Sequence, residues 1–82
     1  MSFPEEIRRL RQRCLLTQNE FAKDLKVAFS TVNRWEGGKA KPNIKAMKSI
    51  KGFCNEHDID FAPVEEAWLN FEVGVGQKRE SI

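Results

Sequence analysis

Several side chains that can contact nucleic-acid bases share one side of a short predicted helix in the first half of the chain. Val32 and Trp35, spaced i and i+3, form the opposite, inward face. The outer side carries Phe29, Ser30, Asn33 and Arg34. Serine and asparagine can donate or accept hydrogen bonds at base edges, and arginine suits guanine or phosphate. An apolar inner face with a polar outer face is the division that a groove-reading helix requires.

The start of this helix leaves two interpretations open. Phe29 offers no hydrogen bond, but its ring can pack on a thymine methyl group. Because phenylalanine usually prefers burial, Phe29 is equally consistent with a core position. Ala28, next to it, could also approach a methyl group.

A second short helix precedes this one and must position it. Thr17 and Glu20 have the spacing of a capping box, which predicts a helix that starts after Thr17. The apolar residues of this helix form one stripe, made of Phe21, Ala22 and Leu25. The pattern then breaks at Lys26 and Val27, so the two helices must be joined by a tight turn.

These residues together resemble the helix-turn-helix of the Cro/repressor family, the XRE-like regulators. The matching positions are Leu10-Arg11, Thr17-Gln18, Phe21-Ala22, Leu25, Val27, Thr31-Val32, Trp35-Glu36 and Gly38-Lys39. The resemblance covers roughly residues 5 to 55 and implies an all-α, compact bundle of five short helices, a lambda-repressor-like DNA-binding domain. It implies a sequence-specific regulator of transcription, a repressor that binds a palindromic operator in double-stranded DNA as a homodimer, with residues Ala28 to Arg34 in the major groove.

The resemblance also assigns roles outside the groove-reading helix. It implies that Arg11 pairs with Glu36, which would tie the first helix to the end of the groove-reading helix. It implies phosphate contacts by a second set of residues: Gln18, Lys39, Lys41 and Asn43.

The chain departs from the family pattern at two positions in the turn. The family usually has glycine where this chain has Lys26, so Lys26 must accept a positive φ or shift the turn, at a cost of about 1 kcal/mol. It usually has a serine or threonine cap where this chain has Ala28, and losing that cap costs about as much.

Three further helices are predicted from apolar spacing. The first runs from Pro4 to about Cys14, the fourth from Ile44 to Asn55, and the fifth from Ala62 or Pro63 to about Phe71. Their inward stripes are Ile7, Leu10 and Cys14; Ile44, Met47, Ile50 and Cys54; and Val64, Ala67, Trp68 and Phe71. Phe71, with Leu69 or Val73, is expected to be left over for a dimer contact. The domain should span residues 1–73, followed by a flexible tail at 74–82.

Length, composition and charge narrow the protein class. The 82 residues fit one small domain, and their 40% apolar content includes no run long enough to cross a membrane. No secretion signal is evident, so a cytoplasmic protein of prokaryotic or phage type, associated with the nucleoid, is expected. Residues 1–54 hold twelve Lys or Arg against five Asp or Glu, and residues 55–82 hold two against seven. A basic body favours an anionic partner, although uneven charge is also common in small soluble domains.

Other functions are less consistent with the residues present. An antitoxin-like protein-interaction module of the same fold, using the acidic last helix, is the alternative. An enzyme is not expected, because no Ser/His/Asp set, metal cluster or nucleotide-binding loop is evident; nor is a cofactor or a small-molecule ligand. Cys14 and Cys54 are expected as buried, reduced thiols, with a disulfide or redox switch as the minor alternative. His57 is expected in an exposed loop.

Overall fold

The computed structural model describes residues 2–73, which form five helices and no strand. The helices are α1 (Phe3–Arg13), α2 (Gln18–Leu25), α3 (Phe29–Glu36), α4 (Ile44–Glu56) and α5 (Ala62–Leu69). α3 packs against α1 and α2, while α4 packs on α2 and α5 on α1. The predicted all-α fold of five short helices is therefore confirmed. The predicted tail at 74–82 lies outside the described residues.

The helices begin where local capping chemistry allows. At α2, the Thr17 hydroxyl accepts a hydrogen bond from the Glu20 amide at 3.1 Å, and the Glu20 carboxylate accepts one from the Thr17 amide at 2.9 Å. The Asn43 side-chain oxygen accepts a hydrogen bond from the Ala46 amide at 2.9 Å and caps α4. Each cap satisfies an amide that has no partner within its own helix.

The turn between α2 and α3 has the two predicted irregularities. Lys26 ends α2 in the left-handed region, with φ 60° and ψ 42°. The Val27 amide then donates to the Ala22 carbonyl at 2.9 Å, which closes the turn back onto α2. Ala28 precedes α3 without any side-chain hydrogen bond. The turn thus keeps its geometry with residues that do not favour it.

The core lies where all five helices meet. Its largest fully buried side chains are Phe3, Ile7, Phe21, Val32, Ile50 and Cys54. Phe3 and Phe53 are core residues that the sequence patterns did not single out. The Phe53 ring meets that of Phe21 edge to face, with centroids 5.1 Å apart.

Some predicted positions differ from the structure at helix ends. Ile44 was expected to face inward, but it is 61% exposed. It lies on the same stripe as Met47, yet it is the first residue of α4, and the core begins one turn later. Cys14 follows α1 as its C-terminal cap and is only half-buried. Helical spacing identifies a face, but it does not show where the neighbouring helices end.

The position of Phe71 differs from the one expected for a dimer contact. α5 ends at Leu69, before Phe71. Phe71 is half-buried and its ring centroid lies 6.0 Å from that of Phe3, so it completes the core instead of remaining free. Leu69 and Val73 are exposed, by 64% and 37%.

The cysteines and the histidine lie in different surroundings. Cys14 and Cys54 are both free thiols, and burial raises the pKa of the Cys54 thiol to about 11. Cys54 is thus held protonated, away from reactive thiolate chemistry. His57 is exposed, as expected, and its ring lies 4.2 Å from that of Phe53 at the end of α4.

Candidate nucleic-acid interface

The outer face of α3 is open to solvent. Val32 and Trp35 are buried, whereas Ser30, Asn33 and Arg34 are exposed. Phe29 is 50% exposed, so the core interpretation of this residue is wrong. Ala28, before the helix, is exposed as well. The side chains with base-contact chemistry therefore lie on the surface, while the helix is held by its other side.

A buried carboxylate fixes the end of α3. Glu36 is only 4% exposed, and its two oxygens accept hydrogen bonds from Nε and Nη2 of Arg11 at 2.7 and 2.9 Å. Nη1 of Arg11 donates to the Leu16 carbonyl at 2.9 Å. The guanidinium thus joins α1, the loop before α2 and the end of α3. A two-pronged contact of this kind restrains angle as well as distance.

Arg8, which the sequence patterns did not single out, adds a second cation to this cluster. Its Nη2 donates to the Glu36 carbonyl at 3.2 Å, and its Nε lies 3.7 Å from the carboxylate. Arg8 and Arg11 are three residues apart, so both lie on the side of α1 that meets α3. This spacing could have indicated from the sequence that Arg8 lies on the same side of α1 as Arg11.

The pKa of the Glu36 carboxyl reflects opposing causes. Burial alone would raise this pKa, but hydrogen bonds from Arg11 and Gln18, together with the charges of Arg11 and Arg8, lower it below its ordinary value. The carboxylate is therefore ionised at neutral pH and can only accept hydrogen bonds.

Gln18 connects this cluster to the outer face of α3. Its Nε2 donates to Glu36 Oε1 at 3.0 Å, and its Oε1 accepts from Asn33 Nδ2 at 3.1 Å. The structure thus brings a predicted phosphate-binding residue and a predicted base-reading residue into direct contact. Sequence reasoning gave no indication of this link between the two groups.

The loop between α3 and α4 holds the other three predicted phosphate-binding residues. Lys39 is exposed. Lys41 Nζ donates to the Phe71 carbonyl at 2.8 Å and lies 4.9 Å from the centroid of the Trp68 ring. The Asn43 side chain is the cap of α4 described above. Of these three residues, two therefore have structural contacts within the protein.

An open groove runs between α3 and the start of α4. It brings together Ser30 and Arg34 on one side with Lys41 and Asn43 on the other. Lys26 and Lys45 add two further cationic side chains to its lining. Ala28, Phe29, Asn33, Gln18 and Lys39 do not line this groove. Two residues of each predicted set, four of the nine in all, thus share this basic groove.

Residues 2–73 contain neither a candidate metal site nor a helix that could span a membrane. They contain no group of three or more His, Cys, Asp or Glu side chains arranged to hold a metal ion. None of their helices combines the length and apolar character needed to cross a membrane.

Comparisons with known proteins identify the family to which the chain belongs. The HTH-type transcriptional activator BcrR of Enterococcus faecalis is 38% identical over 53 residues, which are 65% of this chain and 26% of that relative. The chain thus spans about a quarter of the relative's length. No solved structure matches the chain significantly. A family model described as helix-turn-helix matches residues 7–57, which include α2, α3 and the turn between them. The chain therefore belongs to the helix-turn-helix family, as its resemblance to the XRE-like regulators indicated.

Proposed function

We propose that this protein is a sequence-specific regulator of transcription that places α3 in the major groove of double-stranded DNA. The observation that carries the proposal is the exposed polar face of α3, whose C-terminal end is held by two hydrogen bonds from Arg11 to the buried Glu36. A helix that reads base edges needs both an accessible face and a rigid mount.

Two sets of residues have different roles in this proposal, one in base contacts and one in phosphate contacts. The set proposed to contact base edges is Ala28, Phe29, Ser30, Asn33 and Arg34. The set proposed to contact phosphates is Gln18, Lys39, Lys41 and Asn43. The contacts of Gln18 and Lys41 within the protein leave further hydrogens on each side-chain nitrogen, since an amide has two and an ammonium three. Phosphate contacts supply most of the sequence-independent affinity, and base contacts supply the discrimination.

Repression of transcription and binding to a palindromic operator are also parts of this proposal. A single unit of this size reads about half a site, which favours a homodimer on a palindromic operator. The resemblance to the Cro/repressor family implies a repressor, whereas the relative is an activator by name. A reporter with the selected site placed over or upstream of a promoter distinguishes the two. A cytoplasmic, nucleoid-associated location follows from DNA binding.

Titration of a fluorescent duplex at several salt concentrations tests DNA binding. The logarithm of affinity should fall linearly with the logarithm of salt, by about 0.9 per phosphate neutralised. Lys39→Ala should reduce the magnitude of this slope by about 0.9, the amount expected for one lost phosphate contact, and should weaken binding to all sequences alike. Lys51→Ala, on the exposed side of α4, is the matched control and should leave the slope unchanged.

Arg34→Ala and Ser30→Ala test the reading face on a duplex recovered by selection from random DNA. Each should cost about 1 to 3 kcal/mol on that duplex and much less on an unrelated one. A wild-type chain that binds no duplex, or variants that bind the selected duplex as tightly as wild type, would overturn the proposal.

A partner-binding role of the antitoxin-like kind is the second candidate. It is favoured by the exposure of Leu69 and Val73 beside the acidic residues Glu65 and Glu66. This segment leaves the outer face of α3 exposed, but a partner bound to the segment would compete with the proposed dimer for Leu69 and Val73.

A further inference from the structure

Three linked side chains fix which way the amide of Asn33 faces. The chain of hydrogen bonds starts at Glu36, whose ionised carboxylate can only accept. Gln18 must therefore direct its nitrogen toward Glu36, where the Nε2 to Oε1 distance is 3.0 Å. The two ends of an amide are distinguished by such a partner of fixed polarity.

The same constraint passes from Gln18 to Asn33. With its nitrogen facing Glu36, Gln18 presents its oxygen to α3, and only a donor can satisfy that oxygen. Asn33 supplies it, with Nδ2 at 3.1 Å from Gln18 Oε1. Within residues 2–73 the side chain of Asn33 makes no other hydrogen bond, and it is exposed. Asn33 thus has one acceptor, Oδ1, and one remaining Nδ2 hydrogen for an outside partner.

Those two remaining groups match one base edge in the major groove. Adenine offers a donor at N6 and an acceptor at N7, which together satisfy Oδ1 and the remaining hydrogen. Guanine offers two acceptors, N7 and O6, and would need both Nδ2 hydrogens, one of which Gln18 holds. Cytosine and thymine can each satisfy only one of the two groups through hydrogen bonding at their exposed edge.

We propose that Asn33 selects an adenine in the DNA site, and that Gln18 is the positioning residue that excludes guanine there. The inference rests on the proposed function, because it assigns a base to one of the proposed reading residues. Without Gln18 the Asn33 amide can rotate and offer two hydrogens, so the preference for adenine over guanine should relax.

Selection from random DNA, followed by sequencing, tests the assignment with the full 82-residue chain. Wild type should give a motif in which one position per half-site is adenine, favoured about 5- to 150-fold over guanine. Asn33→Ala should lose the preference at that position alone. Asn33→Asp, which can only accept, should shift it toward cytosine.

Gln18→Ala separates positioning from phosphate contact. Affinity should fall for all sequences, because a phosphate contact is lost, and guanine should become accepted at the Asn33-dependent position only. Asn55→Ala, an exposed asparagine in the last turn of α4, is the control and should give the wild-type motif.

The possible failures are distinguishable. A wild-type motif that Asn33→Ala leaves unchanged, or guanine at the Asn33-dependent position, overturns the inference while DNA binding stands. A wild-type chain that selects no sequence and binds no duplex overturns the proposed function, and the inference with it.

The hydrogen-bond chain can also be tested without DNA. In the free protein, the side-chain amide resonances of Asn33 in a proton–nitrogen NMR spectrum should move in Gln18→Ala and stay in place in Asn55→Ala. Unchanged Asn33 resonances in Gln18→Ala would overturn the positioning role of Gln18.

Discussion

Glu36 joins the end of α3 to α1 and α2 through its hydrogen bonds with Arg11 and Gln18. A buried carboxylate is costly unless it is paired and hydrogen-bonded, and here Arg11, Gln18 and Arg8 all contribute. Removing one partner leaves a desolvated charge behind, so the penalty exceeds the value of the lost hydrogen bond.

Arg11→Ala should lower the free energy of unfolding by about 3 kcal/mol. The physical reason is that Glu36 remains buried with only Gln18 and the more distant Arg8 as partners. Urea unfolding followed by circular dichroism measures the change. Arg13→Ala, an exposed arginine on the same helix, is the control and should stay within about 0.5 kcal/mol of wild type. Equal midpoints for both variants would contradict the structural role of the pair.

Stability should also depend on pH through Glu36. Its pKa is lower in the folded protein than in the unfolded chain, so the stabilisation is complete above the unfolded value of about 4.3 and is lost as the pH falls through the folded pKa. Urea midpoints at pH 7 and pH 3 should therefore differ more for wild type than for Glu36→Gln. The other carboxyl groups titrate in both proteins, so the difference between the two falls in urea midpoint reports on Glu36. Equal falls in wild type and in Glu36→Gln would show that Glu36 does not contribute to the pH dependence.

At the scale of elements, α5 supports the loop that precedes α4. The Trp68 indole nitrogen donates to the carbonyl of buried Pro42 at 2.8 Å, and Lys41 spans from the same loop to Phe71 and to the Trp68 ring. α5 lies outside the residues 7–57 matched by the family model. The chain therefore uses a helix beyond that region to hold a loop proposed to contact phosphates.

Trp68→Phe should lower the free energy of unfolding by about 1 to 3 kcal/mol, because the Pro42 carbonyl loses its donor while most of the ring packing remains. Hydrogen exchange of the backbone amides in residues 39–41 should become faster, which NMR can follow residue by residue. Leu69→Ala changes an exposed residue of the same helix and should leave those amides unaffected. Unchanged hydrogen exchange in Trp68→Phe would show that the Trp68 hydrogen bond does not stabilise this loop.

For the whole molecule, the proposed homodimer requires an apolar surface on each copy. Phe71 is occupied by its contact with Phe3, so Leu69 and Val73 are the exposed apolar residues at the C-terminal side of the described chain. The proposed dimer would bury them.

Leu69→Glu should weaken self-association, because a charged side chain would enter an apolar contact. Sedimentation at several concentrations should show a dimer for wild type and a monomer for the variant, with an unchanged circular dichroism spectrum. Leu15→Glu, at a residue that is 90% exposed in the loop after α1, is the control. A wild-type chain that stays monomeric at every concentration would contradict dimerisation through this segment.

Much of the fold could be predicted because its signals are local. The Thr17 cap and the inward face of Val32 and Trp35 each depend on residues within about four positions, whereas the positive φ at Lys26 was implied by the family pattern. The errors fall where burial depends on distant neighbours. Ile44 is exposed and Phe53 is buried because of where other helices begin and end.

The sequence by itself determined the helices, the turn and which face of α3 is exposed, since these follow from periodicity and capping. The resemblance to the XRE-like regulators also implied the pair of Arg11 and Glu36, which is present in the structure. Only the tertiary structure decided that Gln18 joins Glu36 to Asn33, and that Trp68 holds Pro42. These contacts join residues 15 to 26 positions apart, and hydrogen-bond direction between such residues is set by packing, which no local pattern records.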